Sequence, residues 1–242
     1  MRANLPCHIL SPLAFAIALF AAPAAAQLHP QPETQVEVDL ELVLAVDVSR
    51  SMDLEEQALQ RAGYVAAFRH PEVIAAIGSG LTGRIAVTYL EWAGAGLQFH
   101  RVDWMLIDGA DSAHAFADKV ASAPIGRERR TSISAGLITA AGLLAASPFA
   151  AMREVIDVSG DGPNNEGMPV LEARRIVLER GVTINGLPIL VRPGGGFYNA
   201  VDLDIYYENC VIGGPAAFLL TVESPDRFAT AIRRKLVLEI AG

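Results

Sequence analysis

A nearly unbroken apolar run, Leu40–Val46, interrupted only by Glu41, ends in Asp47-Val48-Ser49-Arg50-Ser51. A strand that is apolar at successive positions has no face to give to water, so it belongs inside a sheet covered on both sides. Asp53–Arg69 then predicts a helix, with Asp53, Glu55 and Glu56 in its first turn and Leu54, Ala58, Ala62 and Val65 as its apolar stripe. Arg84–Trp92 and Leu97–Trp104 predict an antiparallel hairpin about Ala93-Gly94-Ala95-Gly96. Helices over Asp111–Ser122 and the Ala-rich Thr131–Ala146 follow, then a short strand, Glu154–Val158, running into Ser159-Gly160-Asp161-Gly162. Pro169 opens a helix that stops at Gly181, and Val182–Leu190 and Ala216–Val222 read as strands. Ser224-Pro225-Asp226 starts a last helix with Phe228, Ile232, Leu236 and Ile240 on one stripe and Arg233, Arg234 and Lys235 near its negative end. This order predicts an α/β fold: a doubly wound, mostly parallel central sheet with helices on both faces. Ligands of such sheets sit at the carboxyl ends of the strands, where the strand order reverses.

The N-terminus has a different logic. Arg2, an apolar stretch over Ile9–Ala22 and small residues at Ala24 and Ala26 describe a secretory signal peptide over residues 1–26. The stretch is shorter than the ~20 residues a spanning helix needs, so no integral membrane segment is expected after cleavage. Residues 27–36 read as a polar, Pro-punctuated leader to a domain over 37–242. Cleavage removes Cys7 and leaves Cys210 alone, which excludes an internal disulfide and makes Cys210 a small buried hydrophobe. A net charge of −8 argues against nucleic acid or an anionic membrane as partner. The expected location is outside the cytoplasm, periplasmic or secreted.

Three polar clusters fall at the predicted strand ends. In extended chain Asp47, Ser49 and Ser51 share one face. Thr131 stands where the Ala-rich helix begins, and Asp161 follows the Glu154–Val158 strand. Two carboxylates and three hydroxyls, without His or Cys, suit a hard cation such as Mg²⁺ and disfavour zinc. Each piece alone has a plainer role: Ser51 and Thr131 as helix caps, Asp161-Gly162 as a turn.

Together, Asp47-Val48-Ser49-Arg50-Ser51, Thr131 and Asp161-Gly162 resemble the metal-ion-dependent adhesion site of a von Willebrand factor type A domain. Longer strings resemble a bacterial group of exported A-type domains of unassigned function: Val155–Gly162, Tyr206–Pro215 and Ala231–Leu236. The resemblance implies the Rossmann-like von Willebrand A fold. It implies Ser49 and Ser51 as direct ligands, Thr131 as a direct or water-mediated one, and Asp47 and Asp161 as ligands or holders of bound waters. The expected ion is Mg²⁺, with Mn²⁺ or Ca²⁺ as alternatives. The remaining metal position would be completed by an acidic side chain of a partner protein. Arg129-Arg130 depart from the small residues common before the threonine; pairing with Glu128 is the reading favoured here over steering of an acidic ligand.

No enzyme is expected. A phosphatase with an Asp nucleophile wants D-x-D, and Ser49 stands at the second position; G-x-S-x-G is absent. The alternatives are an assembly factor with a degenerate metal site and, further off, a metal-dependent hydrolase. His70, His100 and His114 read as surface or structural, and Gly194-Gly195-Gly196 as a surface loop. Glu91 reads as a solvated strand-end acid, and Asp157 as a buried structural carboxylate with a hydroxyl or backbone donor, or a support of the metal site.

Overall fold

The computed structural model describes residues 35–191 and 202–242. The expected signal peptide, residues 27–34 of the leader and the Gly194–Gly196 loop lie outside these. Five strands form the main sheet in the order β4-β3-β2-β6-β7: β2 (Leu40–Asp47), β3 (Ile85–Trp92), β4 (Gln98–Ile107), β6 (Glu154–Gly160) and β7 (Thr183–Pro188). β2 pairs in parallel with β3 on one side and β6 on the other, and only β4 runs antiparallel. Every residue of β2 is buried, as its apolar run demands. Two short strands absent from the sequence reading, β1 (Val36–Val38) and β5 (Phe149–Ala151), pair in parallel beside the sheet.

One face carries α1 (Leu54–Phe68), α2 (Pro71–Gly78), α3 (Ala110–Ser122) and α7 (Phe228–Ala241), whose Tyr64, Phe68, Phe116, Phe228 and Ile232 pack on Leu42, Leu44 and Val87. The other carries α4 (Ile133–Ala145), α5 (Val170–Leu178) and α6 (Leu203–Tyr206), whose Leu137, Ala173 and Leu203 meet Val43, Ala45 and Val158. Chain direction around the sheet reverses between β2 and β6. That crevice is the switch point at which a doubly wound sheet binds its ligand.

Four expectations change. The stripe read as the buried face of α1 is its outer one: Leu54, Ala58 and Ala62 are exposed, while Gln57, Gln60, Arg61, Tyr64 and Phe68 are buried. The amino end of α1 abuts the polar strand ends, so there the inward face must be polar. α2 had no counterpart in the reading; His70 caps it, its Nδ1 accepting from the Glu72 N–H at 3.2 Å. Ala216–Val222 runs along β7 in isolated bridges rather than as a strand, because the Phe218 N–H is taken by Asn185 Oδ1 at 3.0 Å instead of by a neighbouring strand. Lys235, expected near the negative end of its helix, stands in mid-helix and is fully buried. Cys210 is partly buried against the second core cluster. Among the described residues no helix is long and apolar enough to cross a membrane.

Candidate metal centre

Asp47 is the last residue of β2 and is wholly buried. Its Oδ1 accepts the Ser49 N–H at 2.7 Å, which turns the chain so that Ser49 Oγ lies 2.7 Å from Ser51 Oγ. Ser51 Oγ donates to Asp161 Oδ1 at 2.6 Å. Four of the five expected residues, from two strand ends on either side of the switch point, are thus joined in one hydrogen-bonded run. Thr131 is not a member of that run. It is held beside the Asp161 loop by its backbone: its N–H donates to Asn165 Oδ1 at 3.0 Å, and its carbonyl accepts the Asn165 N–H at 2.8 Å. The helix cap of α4 is Ser132, whose Oγ accepts from the Ala135 N–H at 3.3 Å, so Thr131 is spared that role.

The cluster fits a cation. Asp47 Oδ2 is buried without a hydrogen-bond partner among the described residues, and no basic side chain pairs with this carboxylate. Burial first, and the nearby charge of Asp161 second, push the Asp47 carboxyl well above the usual carboxylate range. A divalent ion would reverse both effects by supplying the missing counter-charge. Among the described residues no group of three or more His, Cys, Asp or Glu could hold a metal; the run here joins two carboxylates and two hydroxyls, with Thr131 held beside it, and such oxygens are the donors of a hard cation.

Gly160, at the end of β6, makes room for this arrangement. A Cβ there would lie 2.9 Å from Asp47 Oδ2 and 2.9 Å from the Tyr207 hydroxyl. Tyr207 opens a short π-helical turn, Tyr207–Val211, and its buried hydroxyl has no hydrogen-bond partner among the described residues. The sequence reading quoted Tyr206-Tyr207 without assigning either a role. Nothing in the local sequence signals that placement, which comes from the packing of the turn on Gly160. Gln57 and Gln60 of α1 were missed too; Gln57 Nε2 donates to the Ser49 carbonyl at 3.2 Å and Gln60 Nε2 to Ser159 Oγ at 2.8 Å.

The loop of residues 123–130 borders the site and is pinned from beneath. Glu91 is fully buried, not a solvated strand-end acid: it pairs with Arg61 and, at 2.8 Å, with Arg101 Nε. Arg61 also donates to the carbonyls of Ala123 and Pro124. Above this anchor the Glu128 N–H donates to the Val48 carbonyl at 2.9 Å and the Ser132 N–H to the Ala93 carbonyl at 2.7 Å. The expected pairing of Glu128 with Arg129 and Arg130 does not form among the described residues; both arginines are exposed. Asp157, for its part, forms an ion pair with Lys235 Nζ at 2.6 Å.

An open, mostly parallel sheet wound by helices on both faces, with its strand order reversing beside the polar cluster, is the fold of von Willebrand factor type A domains. The fold of the pilus adhesin SpaC from Lactobacillus rhamnosus GG is similar, with a TM-score of 0.64 at 14% identity over 84% of this chain and 31% of that one. So is proximal thread matrix protein 1 from the mussel byssus, described with a zinc-occupied MIDAS motif (TM-score 0.61, 16% identity, 86% of this chain and 49% of that one). A von Willebrand factor type A protein from Catenulispora acidiphila matches with a TM-score of 0.57 at 14% identity, over 84% of this chain and 43% of that one. The chain therefore spans between about a third and a half of the length of these proteins. No curated protein matches the sequence. The family model described as "Protein of unknown function (DUF1194)" matches residues 37–242, and the chain belongs to that family.

Proposed function

We propose that the chain binds a divalent cation, Mg²⁺ in the first place, through Asp47, Ser49, Ser51, Thr131 and Asp161, and engages a protein partner through it. The observation that carries this reading is the hydrogen-bonded run Asp47–Ser49–Ser51–Asp161 around a buried carboxylate oxygen with no partner. When bound, the ion would supply positive charge and an open position for an acidic side chain; Ser49 and Ser51 would orient it, and Asp47 and Asp161 would balance it or hold its waters. Asp47 and Asp161 together balance no more than the ion's two charges, so an incoming carboxylate meets an open coordination position and not an excess of negative charge, and a chain of net charge −8 can still bind it at contact range. A pilus adhesin and a byssal thread protein among the similar folds support a role in adhesion outside the cytoplasm, as does the signal-like N-terminus. The reading is of a binding protein and not of an enzyme.

A thermal melt with and without metal tests this. Ion at ~100 times its dissociation constant adds about 2.7 kcal/mol to the folded state. Mg²⁺, Mn²⁺, Ca²⁺ and, given the mussel protein's site, Zn²⁺ are titrated against chelator. A melting temperature indifferent to all four, in the wild type and in Asp47→Ala alike, rejects the reading.

A further inference from the structure

Resting on that cation centre, we propose that its partner presents a run of several acidic residues, one for the metal and the others for a guanidinium rim formed by Arg50, Arg129 and Arg130. The chain is acidic overall, yet the loop that leads into Thr131 carries three arginines against Glu128 alone. Arg50 stands between Ser49 and Ser51, and Arg127, Arg129 and Arg130 lead into Thr131. All four are exposed. Arg127 is the brace: its Nε donates to the Met52 carbonyl and its Nη2 to the Arg50 carbonyl, both at 3.3 Å, tying the two loops together. Arg50, Arg129 and Arg130 take part in no ion pair among the described residues. Of the acids on these loops, Glu166 spends Oε2 on the Ala95 N–H at 2.8 Å, and Glu128, though adjacent in sequence, pairs with none of the three.

The rim is also built at a cost. Arg130 holds φ at 70°, the left-handed region that a side chain with a Cβ disfavours. Such a conformation persists only where the surroundings impose it. Here they do: the loop is bonded to Val48 and Ala93, and it seats on Gly94, where a Cβ would lie 2.9 Å from the Arg129 carbonyl and 3.3 Å from Arg130 Cβ. Relaxing the turn would have required only a Gly or Asn at 130. The sequence instead places a long cation there, directly before Thr131. Guanidinium groups pair carboxylates in forked geometry, so a string of Asp and Glu side chains matches the surface.

The test measures binding of three labelled probes to the chain in saturating Mg²⁺: an oligoglutamate peptide, a Gly/Ser peptide of the same length with one Glu, and an oligothymidylate of matching charge. Three exposed ion pairs predict about a tenfold preference for oligoglutamate over the single-Glu peptide. The variant R50S/R129S/R130N, with Asn chosen to tolerate the left-handed turn, loses that preference while its Mg²⁺ melting shift stays as in wild type; restoring the charges as Lys recovers part of it. Oligoglutamate that fails to bind, that binds no better than the single-Glu peptide, or that binds the variant unchanged overturns the rim. Oligothymidylate binding as tightly as oligoglutamate overturns its carboxylate specificity. If chelator leaves oligoglutamate binding intact and the arginine variant still loses it, the rim stands and the cation centre fails.

Discussion

A methyl group at position 160 would sit 2.9 Å from both Asp47 Oδ2 and the Tyr207 hydroxyl. Gly160→Ala is therefore expected to destabilise the fold by about 1–3 kcal/mol, the usual cost of overpacking, and to abolish the Mg²⁺-dependent melting shift, which a differential scan with and without chelator reads directly. Glu41 tests a second consequence of burial. Removal from water, with the charge of Glu154 added, raises its carboxyl from 4.5 to about 7. The unfolded chain ionises near 4.5, so between there and about pH 7 the folded state holds the extra proton. Glu41's contribution to stability is then fully present below pH 4.5 and is lost as the pH rises through about 7. Glu41→Gln removes that part of the slope and is expected to exceed wild type above pH 7 by up to about 3 kcal/mol, measured by urea unfolding at pH 5 and pH 8. Both carboxylates were visible in the sequence; their burial was legible for Asp47, which ends the apolar run, and hidden for Glu41, which looked like its one interruption.

Among the elements, the strands were the most legible, because β2 and β6 are buried on both faces and read as continuous apolar runs. Helix faces were less so. α1 shows Ala and Leu to solvent and turns Gln57, Gln60 and Arg61 inward, since its amino end supports the polar strand termini. Its tertiary contact is set farther along by Gly63, where a Cβ would lie 2.6 Å from Ile232 Cδ1 of α7. Glycine inside a helix ordinarily costs about 0.5–1 kcal/mol relative to alanine, so its presence here is explained by close packing. A double-mutant cycle separates the two effects. Gly63→Ala alone is expected to be neutral or destabilising by about 1 kcal/mol. In the Ile232→Val background, which removes Cδ1, the same change becomes stabilising by about 0.5 kcal/mol. Additivity in denaturant unfolding would show that the two helices do not constrain each other there.

Across the whole molecule the sheet holds two buried carboxylate groupings that are balanced differently. Asp47 has no cation beside it among the described residues, and under the proposed function it would receive one from outside. On the α7 face, Asp157 and Glu239 receive theirs from the chain: Lys235 Nζ lies 2.6 Å from Asp157 Oδ1 and donates to Glu239 Oε1, which also accepts from Asn185 Nδ2 at 3.1 Å. Burial works against the Lys235 charge, yet Asp157 and Glu239 hold its ammonium above the usual range. The sequence places Arg233, Arg234 and Lys235 together near the negative end of the helix and does not distinguish the one that the helix phase turns towards the sheet. Lys235→Met leaves two carboxylates buried without a counter-ion, and breaking such a grouping costs about 3–5 kcal/mol. The penalty depends on pH in a defined sense. Glu239 titrates at about 7, raised by burial and by Asp157, and loss of the ammonium raises both acids further. The folded variant keeps protons that the unfolded chain releases, so its stability falls as the pH rises from the ordinary carboxylate range through those raised values. Unfolding at pH 5 and pH 8 should therefore show a much larger deficit at pH 8. Asp157→Asn and Glu239→Gln added to Lys235→Met remove the uncompensated charges, and the triple variant is expected to recover most of the loss. A deficit equal at the two pH values would assign the cost of Lys235→Met to packing and not to charge.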